Sequence, residues 1–275
     1  MKILLKPVVF ILLTASLGIT PVFAVTDTAV IKALTEDAEQ GDVEAQYNLG
    51  AMYAVGDGIE QDDAKAVVWF QKAADQGDAS AQYNLGIMYD HGRGVEKDDR
   101  QAAKWYRKAA EQGVAYAQYN LANMYANGRG VIQDDVKAVE WYQKAADKGE
   151  VKAQNNLAWM YENGKGVAQD YQKAFSLYAL AANEGNSNAQ YNLGVMYENG
   201  RGIEKNKNKA HEWYFKAAEQ GDQDARYHLT LAYAVGELNR AERKKYKNIS
   251  TDWELQTIEV EASASEQAEA EQHVD

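Results

Sequence analysis

The chain contains 275 residues, of which 46% are hydrophobic and 25% are charged, and its formal net charge is −12 at pH 7. This balance is typical of folded proteins and excludes wholesale disorder. The lack of cysteine excludes disulfide frameworks, thiol nucleophiles and cysteine-ligated zinc. The acidic charge would repel the phosphates of nucleic acids and anionic lipid surfaces, so we expect no nucleic-acid partner and a monomeric protein.

Residues 1–24 have the pattern of a secretory signal peptide. Lys2 and Lys6 precede an apolar run from Val8 to Ile19, and the small residues that a signal peptidase requires stand in Val22-Phe23-Ala24. The alternative is a membrane anchor, but this run is shorter than the roughly 20 apolar residues that span a bilayer. We therefore predict cleavage, no stable membrane insertion afterwards, and an exported protein that is periplasmic or secreted, with a bacterial envelope favoured.

A short segment recurs through the rest of the chain at a constant spacing. It reads AQYNLG at its first two occurrences, and each copy starts 36 residues after the previous one. The only two prolines lie in the first 21 residues, so no later residue lacks the backbone donor that a helix needs. A period of this length is typical of proteins whose repeats pack on one another. We number the repeats 1 to 6 by the first residue of this segment, which is in turn Ala45, Ala81, Ala117, Ala153, Ala189 and Ala225.

Each repeat contains two apolar stripes with the spacing of an α-helix. The first helix (helix A) has its stripe at i, i+4, i+7 and i+8, and the second (helix B) at i, i+3, i+4 and i+7. One helix pair cannot bury both stripes, so consecutive pairs must stack. The predicted fold class is therefore all-α, an α-solenoid of 36-residue helix-turn-helix repeats. The stripes of repeat 1 comprise Ala45, Leu49, Met52 and Tyr53 in helix A, and Ala66, Trp69, Phe70 and Ala73 in helix B.

Glycines and acidic residues mark the ends of the predicted helices. A Gly-x-Gly segment after helix A supplies residues that tolerate positive φ, and a further glycine ends helix B. The first aspartate of an Asp-Asp pair stands where helix B begins and is expected to cap its amide groups. A small residue within helix A is expected to let adjacent helices approach closely. In repeat 1 these residues are Gly56, Gly58, Gly77, Asp62 and Gly50.

Together these features resemble the SEL-one-like repeat family, a relative of the tetratricopeptide repeats. The resemblance is carried by the unit A-Q-Y-N-L-G-x-M-Y-x-x-G-x-G-V-x-x-D-x-x-K-A-x-x-W-Y-x-K-A-A-x-Q-G-D and covers residues 41 to about 236. It implies a right-handed superhelix of five full repeats and a partial sixth, acting as a protein-binding scaffold or adaptor. Residues 25–40 resemble a degraded helix B and are expected to form an N-terminal capping helix.

The residues that could carry chemistry do not form a recognisable site. The four histidines are scattered, and capping already explains the Asp-Asp pairs, so we predict neither a metal site nor a cofactor. Gly164-Lys165-Gly166 lacks the remaining spacing of a phosphate-binding loop. The rival function is a hydrolase of the β-lactamase type, because some cysteine-rich relatives have been linked to β-lactams. This chain has neither their cysteines nor a Ser-x-x-Lys motif, so we predict no catalytic residues and no enzyme activity.

A row of helix A residues beside the core stripe is the candidate binding surface. In tetratricopeptide-like superhelices the A helices line the concave face, so this row would meet a protein or peptide partner. Asparagine recurs in it and can bond to a peptide backbone, although each asparagine could instead bond to the adjoining repeat. Beside it stand apolar side chains of varying size, as expected either for contact with a particular partner or for packing between neighbours. The predicted site comprises Asn84, Ile87, Asn120, Asn123, Asn156, Trp159, Asn192 and Val195.

Repeat 4 departs from the other repeats, and the pattern ends after Gly236. In repeat 4 Trp159 is new and Leu177 replaces the tryptophan of helix B, so this repeat is either repacked locally or specialised for binding. Residues 237–250 are predicted to form a basic C-terminal cap. Residues 251–275 are acidic and poor in bulky apolar side chains, so we expect a disordered tail.

Overall fold

The computed structural model describes residues 28–250, and every regular element within that range is an α-helix. The predicted signal peptide (residues 1–24) and acidic tail (residues 251–275) lie outside the described residues. The all-α repeat fold predicted from the sequence is confirmed. The helices are α1 (Thr28–Glu39), α2 (Val43–Val55), α3 (Asp63–Asp75), α4 (Ala79–His91), α5 (Asp99–Glu111), α6 (Ala115–Asn127), α7 (Asp135–Asp147), α8 (Val151–Asn163), α9 (Tyr171–Asn183), α10 (Ser187–Asn199), α11 (Lys207–Glu219), α12 (Gln223–Ala234) and α13, which spans residues 240–250.

The helices fall into two compact units. Unit 1 ends at Gln169 and contains α1 to α8, and unit 2 begins at Asp170 and contains α9 to α13. In unit 1, α1 packs on α2, the pairs α2–α3, α4–α5 and α6–α7 form repeats 1 to 3, and each B helix also packs on the following A helix. In unit 2, α9 packs on α10, α10 and α11 form repeat 5, and α12 packs on α11. Each unit therefore shows the stacked helix pairs that the 36-residue period predicts.

The Gly-x-Gly turns serve two separate structural needs. Gly92 ends α4 with a φ of 68°, in the left-handed region that favours glycine. Gly94 also has a positive φ, but it is further restricted by the preceding repeat, since a Cβ atom there would lie 2.2 Å from the backbone carbonyl of Asp63. The same close approach brings Gly130 against Asp99. The second glycine is therefore required where one repeat meets the next, which the sequence pattern did not reveal.

Side-chain caps begin the B helices at the predicted residues. The carboxylate of Asp98 accepts hydrogen bonds from the backbone amides of Arg100 and Gln101 at 2.8 and 3.0 Å. These bonds satisfy amide groups that have no partner within the helix. The predicted caps are confirmed at Asp62, Asp98, Asp134 and Asp170, and Asn206 caps α11 in the same way.

The leucine of helix A is buried in every repeat. Leu85 and Leu121 are completely buried, and their counterparts in the other repeats are at most 1% exposed. The small residue that follows the leucine allows helix B to approach closely. A Cβ atom on Gly86 would lie 2.6 Å from the ring of Tyr106, so the prediction that small residues permit close packing is confirmed.

The tryptophans of helix B contribute less to the core than their place in the apolar stripe suggested. Trp105 is 3% exposed, but its three counterparts are only partly buried, and the aromatic residue after each tryptophan fills the core instead. A lysine one turn later lies over each indole ring, where it gains a cation–π contact. The lysine Nζ lies 4.2 Å from the ring centroid for Lys108 and Trp105, and 3.7 to 3.9 Å for Lys72 and Trp69, Lys144 and Trp141, and Lys216 and Trp213.

Ion pairs that the sequence analysis did not identify join consecutive repeats. In unit 1, Arg93 binds Asp63 through two bonds, with Nη2 at 2.6 Å from Oδ1 and Nε at 3.1 Å from Oδ2. One repeat further on, Arg129 of repeat 3 binds Asp99 of repeat 2 at 2.7 Å. In both Asp-Asp pairs, therefore, the first aspartate caps its own helix and the second binds the following repeat. The interpretation of these pairs as caps alone was incomplete.

The same two positions hold an ion pair with exchanged charges in unit 2. Lys207 occupies the position of Asp63, Glu237 occupies that of Arg93, and Lys207 Nζ lies 2.6 Å from Glu237 Oε1. The contact is thus kept although both residue types differ.

Buried glutamines of helix A form a second link between repeats. Gln82 Nε2 donates to the carbonyl of Ala74 in the preceding B helix at 3.1 Å, and Gln82 Oε1 accepts a 2.8 Å bond from Gln112. In the next repeat, Gln118 Nε2 likewise donates to the carbonyl of Ala110 at 3.0 Å. Lys148 stands where the partner glutamine would be, and Gln118 Oε1 is buried without a hydrogen bond.

The last described helix packs on the preceding helices of unit 2. Tyr246 of α13 stacks on Tyr233 of α12 with ring centroids 4.6 Å apart. Glu242 Oε1 lies 3.3 Å from Nδ1 of His211, which is buried in α11. The basic segment 237–250 therefore contributes apolar and polar contacts to the end of this unit.

Candidate protein-binding surface

The predicted site residues of unit 1 lie on the A helices of repeats 2 to 4. Most of them are partly buried, whereas Trp159 is 43% exposed. Between repeats 3 and 4 the predicted positions are neighbours, since the side chains of Asn123 and Asn156 are in contact. The residues are Asn84 and Ile87 on α4, Asn120 and Asn123 on α6, and Asn156 and Trp159 on α8.

A closed hydrogen-bond network connects the row between repeats 3 and 4. Asn156 Nδ2 lies 3.3 Å from Asn123 Oδ1 and 3.3 Å from the hydroxyl oxygen of Tyr142. The hydroxyl of Tyr142 in turn donates to Asn123 Oδ1. Three helices, α6, α7 and α8, are thereby held together at the level of the row.

Asn84 of repeat 2 and Asn120 of repeat 3 each bond to a tyrosine in the repeat before. Burial raises the pKa of Tyr47, and the side-chain hydrogen bond with Asn84 acts in the opposite direction. Burial likewise raises the pKa of Tyr83 to about 12, against the hydrogen bond with Asn120. These bonds support the interpretation that the asparagines link adjoining repeats. An asparagine amide has two donor hydrogens and an acceptor oxygen. After one bond to a tyrosine, it can therefore still form hydrogen bonds with a partner.

Trp159 differs from its counterparts in unit 1 by its exposure. Lys165 Nζ lies 5.2 Å from the centroid of its ring, and Asn163 Nδ2 donates to the Trp159 carbonyl at 2.9 Å. The equivalent position holds Ala51 in repeat 1, where it is buried, and Ile87 in repeat 2, where it is partly buried. A large indole that is partly open to solvent and flanked by a cation is the kind of side chain that anchors protein interfaces.

In unit 2 the predicted site residues Asn192 and Val195 lie on α10. Both are partly buried, and Val195 packs against the core cluster of this unit. His228, outside the predicted set, takes the asparagine position in repeat 6. Its ring stacks on Tyr214 at 4.9 Å between centroids, and its Nε2 lies 3.4 Å from the hydroxyl oxygen of Tyr191. The bond to a tyrosine one repeat earlier is therefore kept although asparagine is replaced.

A carboxylate completes this cluster in unit 2. The hydroxyl of Tyr214 donates to Glu198 Oε2 at 2.8 Å, and His228 Nδ1 lies 3.6 Å from the same oxygen. Burial, reinforced by Glu198, raises the pKa of Tyr214 well above its usual range. The hydroxyl therefore stays protonated, and remains a hydrogen-bond donor, even in alkaline solution where an exposed tyrosine would ionise.

The family of these repeats follows from a comparison with known sequences. A model described as the Sel1 repeat matches residues 43–78, 79–114, 115–150, 151–186 and 187–222, which is more than half of the chain. The chain belongs to the Sel1 repeat family. Each matched segment contains one A helix and the B helix after it. Sel1 repeat proteins are generally non-catalytic scaffolds for protein interactions.

Two solved structures of bacterial Sel1 repeat proteins are similar to this one. A protective antigen present in uropathogenic Escherichia coli strains is 40% identical, with a TM-score of 0.74, over 81% of this chain and 49% of the other. A Sel1 repeat protein from Oxalobacter formigenes is 33% identical, with a TM-score of 0.69, over 78% of this chain and 88% of the other. This chain thus spans about half the length of the E. coli protein. The comparison with curated proteins found no match.

Within residues 28–250 the structure shows neither a metal-binding cluster nor a membrane-spanning helix. No group of three or more histidine, cysteine, aspartate or glutamate side chains in this range could hold a metal ion. None of its helices is long and apolar enough to cross a membrane.

Sequence reasoning missed the tyrosines that hold the row of asparagines. A signal was present, because Tyr47 precedes Asn84, and Tyr83 precedes Asn120, by the same 37 residues. Taken one position at a time, each tyrosine is only a member of the repeating motif. A search for polar pairs between successive repeats would have found them.

Proposed function

We propose that this Sel1 repeat protein is an exported scaffold or adaptor that binds a protein or peptide partner on the A-helix row. In unit 1 the partner contacts Trp159 as its apolar anchor and Asn120, Asn123 and Asn156 as polar groups, with Asn84 and Ile87 extending the surface. In unit 2, Asn192 and Val195 form the equivalent surface of that unit. The general character of the family as interaction scaffolds supports this proposal.

The exposure of Trp159 is the observation that carries the proposal. A residue 43% exposed leaves a large apolar area in contact with water, and a partner that covers it gains the free energy of that burial. The neighbouring network of Asn123, Tyr142 and Asn156 holds polar groups in fixed positions beside it. A fixed surface loses little conformational entropy on binding, which favours affinity.

Export is part of the proposal because of the N-terminal segment. Lys2, Lys6 and the apolar run that follows have the charge and length of a signal peptide. Similarity to a protein described as a protective antigen is consistent with export. N-terminal sequencing of the chain recovered from the periplasm or medium should begin at Val25, and recovery of the uncleaved chain there would contradict the proposal.

The test of the binding surface compares the wild type with Trp159→Ala. Tagged mature protein captures partners from an envelope extract, mass spectrometry identifies those that the variant loses, and the affinity for each is then measured with purified components. We expect a loss of roughly 2 kcal/mol or more in binding, as for a central tryptophan anchor, with an unchanged melting temperature.

A matched control is Tyr227→Ala, which truncates an aromatic side chain that is 62% exposed on α12 but is not in the row. It should leave the affinity unchanged. If Trp159→Ala instead lowers the melting temperature and leaves the affinity unchanged, Trp159 has a packing role and the proposed site is wrong.

A further inference from the structure

The B helix of repeat 2 carries an unusual concentration of positive charge. Within the 13 residues of α5 stand Arg100, Lys104, Arg107 and Lys108. Only the last of these is a general feature of the repeat. The positions of Arg100 and Lys104 hold alanine and valine in repeat 1, and valine and glutamate in repeat 3. The first three cations of α5 are thus specific to repeat 2, in a chain whose net charge is −12.

These four cations line one cleft. It has a volume of about 340 Å³, and the remaining lining residues are Ala103, Glu111, Gly130 and Val131. Four positive side chains therefore face one negative side chain around it. The cleft lies on the B-helix layer of unit 1, so it is separate from the A-helix row to which Trp159 belongs.

Aromatic side chains hold three of the cations. Arg107 Nη2 donates to the hydroxyl of Tyr125 at 2.8 Å. The Nζ atoms of Lys104 and Lys108 lie 5.2 and 4.2 Å from the ring centroid of Trp105. These contacts restrict the long side chains before any partner arrives, which lowers the entropy lost on binding.

None of the four cations forms an ion pair with a side chain within residues 28–250. None of them lies within 4 Å of a carboxylate oxygen in that range, in contrast to Arg93 and Arg129, which bind aspartates. A carboxylate of a partner protein could therefore bind these cations without first breaking an existing ion pair.

An apolar rim adjoins the cleft. Ile132, which directly follows the lining residue Val131, is 91% exposed. Glutamate stands at the position of Ile132 in repeats 1, 2 and 5. A partner suited to this surface therefore combines acidic groups for the cleft with an apolar side chain for the rim.

We propose that the α5 cleft is a second docking surface, which binds an acidic segment of a partner protein that also carries apolar side chains. Charge complementarity selects the acidic groups, and Ile132 selects an apolar neighbour. A nucleic acid satisfies only the first requirement, and the overall acidity of the chain repels its long phosphate backbone. This inference does not depend on the A-helix row.

The probe is a fluorescein-labelled decapeptide of glutamate with leucine at every third position, titrated with the full chain in fluorescence anisotropy. The double variant Arg100→Gln, Lys104→Gln should bind between roughly three- and twentyfold more weakly, because two partly exposed ion pairs are lost. Added salt should weaken the wild type more than the variant. Ile132→Asn should weaken binding of this peptide but not of an all-glutamate peptide.

The matched control is Arg243→Gln, Lys244→Gln, which removes the same charge from α13 and should leave the affinity unchanged. An equal loss in this control would show attraction to net charge alone and overturn the proposal. Tighter binding of a ten-nucleotide single strand would overturn the choice of an acidic protein. If the full chain self-associates in sedimentation and the α5 variant does not, the occupant is the acidic end of a second copy, and the partner assignment is wrong.

Discussion

The interior of the helix pairs and the boundaries between repeats follow different rules. In the interior the same residue recurs, so that leucine fills the position of Leu121 in all six repeats and is at most 1% exposed. At the charged contacts between repeats the residues can change while the contact is kept. The pair Asp63 and Arg93 of unit 1 becomes Lys207 and Glu237 in unit 2.

The difference follows from the kind of complementarity at each place. A close-packed interior accepts one shape, so a change in a single side chain leaves a void or a clash. An ion pair requires only opposite charges at the right distance, and both members can change together. Interior positions can therefore be read one at a time from the sequence, whereas the charged positions at the boundaries must be read in pairs.

The largest expected effect is in the interior, from Leu121→Ala. The substitution leaves a cavity between helices that are already close-packed, and the free energy of unfolding should fall by about 2 to 5 kcal/mol. Urea unfolding followed by circular dichroism measures the loss. The control is Leu180→Ala, at a leucine that is 54% exposed. It should change the free energy of unfolding by less than about 0.5 kcal/mol. A similarly small change for Leu121→Ala would contradict the assigned core.

This contrast also explains what the sequence could predict. The helices, the caps such as Asp98 and the leucine core were predictable because each depends on one residue type at one position of the repeat. The pairing of Arg93 with Asp63 was not, since it joins residues 30 positions apart in different repeats. For the candidate site, the position of Trp159 could be predicted, but its exposure could not, because exposure depends on the side chains packed around it.

A smaller effect is expected from exchanging a boundary pair. Asp63→Lys or Arg93→Glu alone places like charges together and removes charge-assisted hydrogen bonds, which should cost about 1 to 3 kcal/mol of unfolding free energy. The double variant restores opposite charges in the order that Lys207 and Glu237 show, and it should recover most of the loss. Recovery should be incomplete because a lysine at the start of α3 opposes the helix dipole.

The matched control combines Asp63→Lys with Lys244→Glu. It has the same net charge as the exchanged pair, but the new glutamate is not at the position of Arg93, so no ion pair forms with the lysine at position 63. It should remain as unstable as Asp63→Lys alone. If the exchanged pair is no more stable than the worse single variant, the boundary depends on residue identity, and the distinction between interior and boundary fails.

The smallest expected effect is a gain, at the contact between Gln118 and Lys148 in unit 1. Gln118 Oε1 is buried without a hydrogen bond, and the Lys148 ammonium lies beside Gly113, where a Cβ would be 3.1 Å from Nζ. In Lys148→Gln the new amide can donate to Gln118 Oε1, as Gln112 donates to Gln82 at 2.8 Å. Satisfying a buried acceptor should raise the free energy of unfolding by about 1 kcal/mol.

The reverse substitution, Gln112→Lys, sharpens the same prediction, because it removes the donor to Gln82 Oε1 and should lower the free energy of unfolding by a similar amount. Lys97→Gln controls for the lost positive charge at an exposed lysine of unit 1 and should change stability by less than about 0.5 kcal/mol. Urea unfolding of the three variants in one buffer separates the effects. If Lys148→Gln and Lys97→Gln stabilise equally, the gain comes from charge, and the glutamine link adds nothing at this boundary.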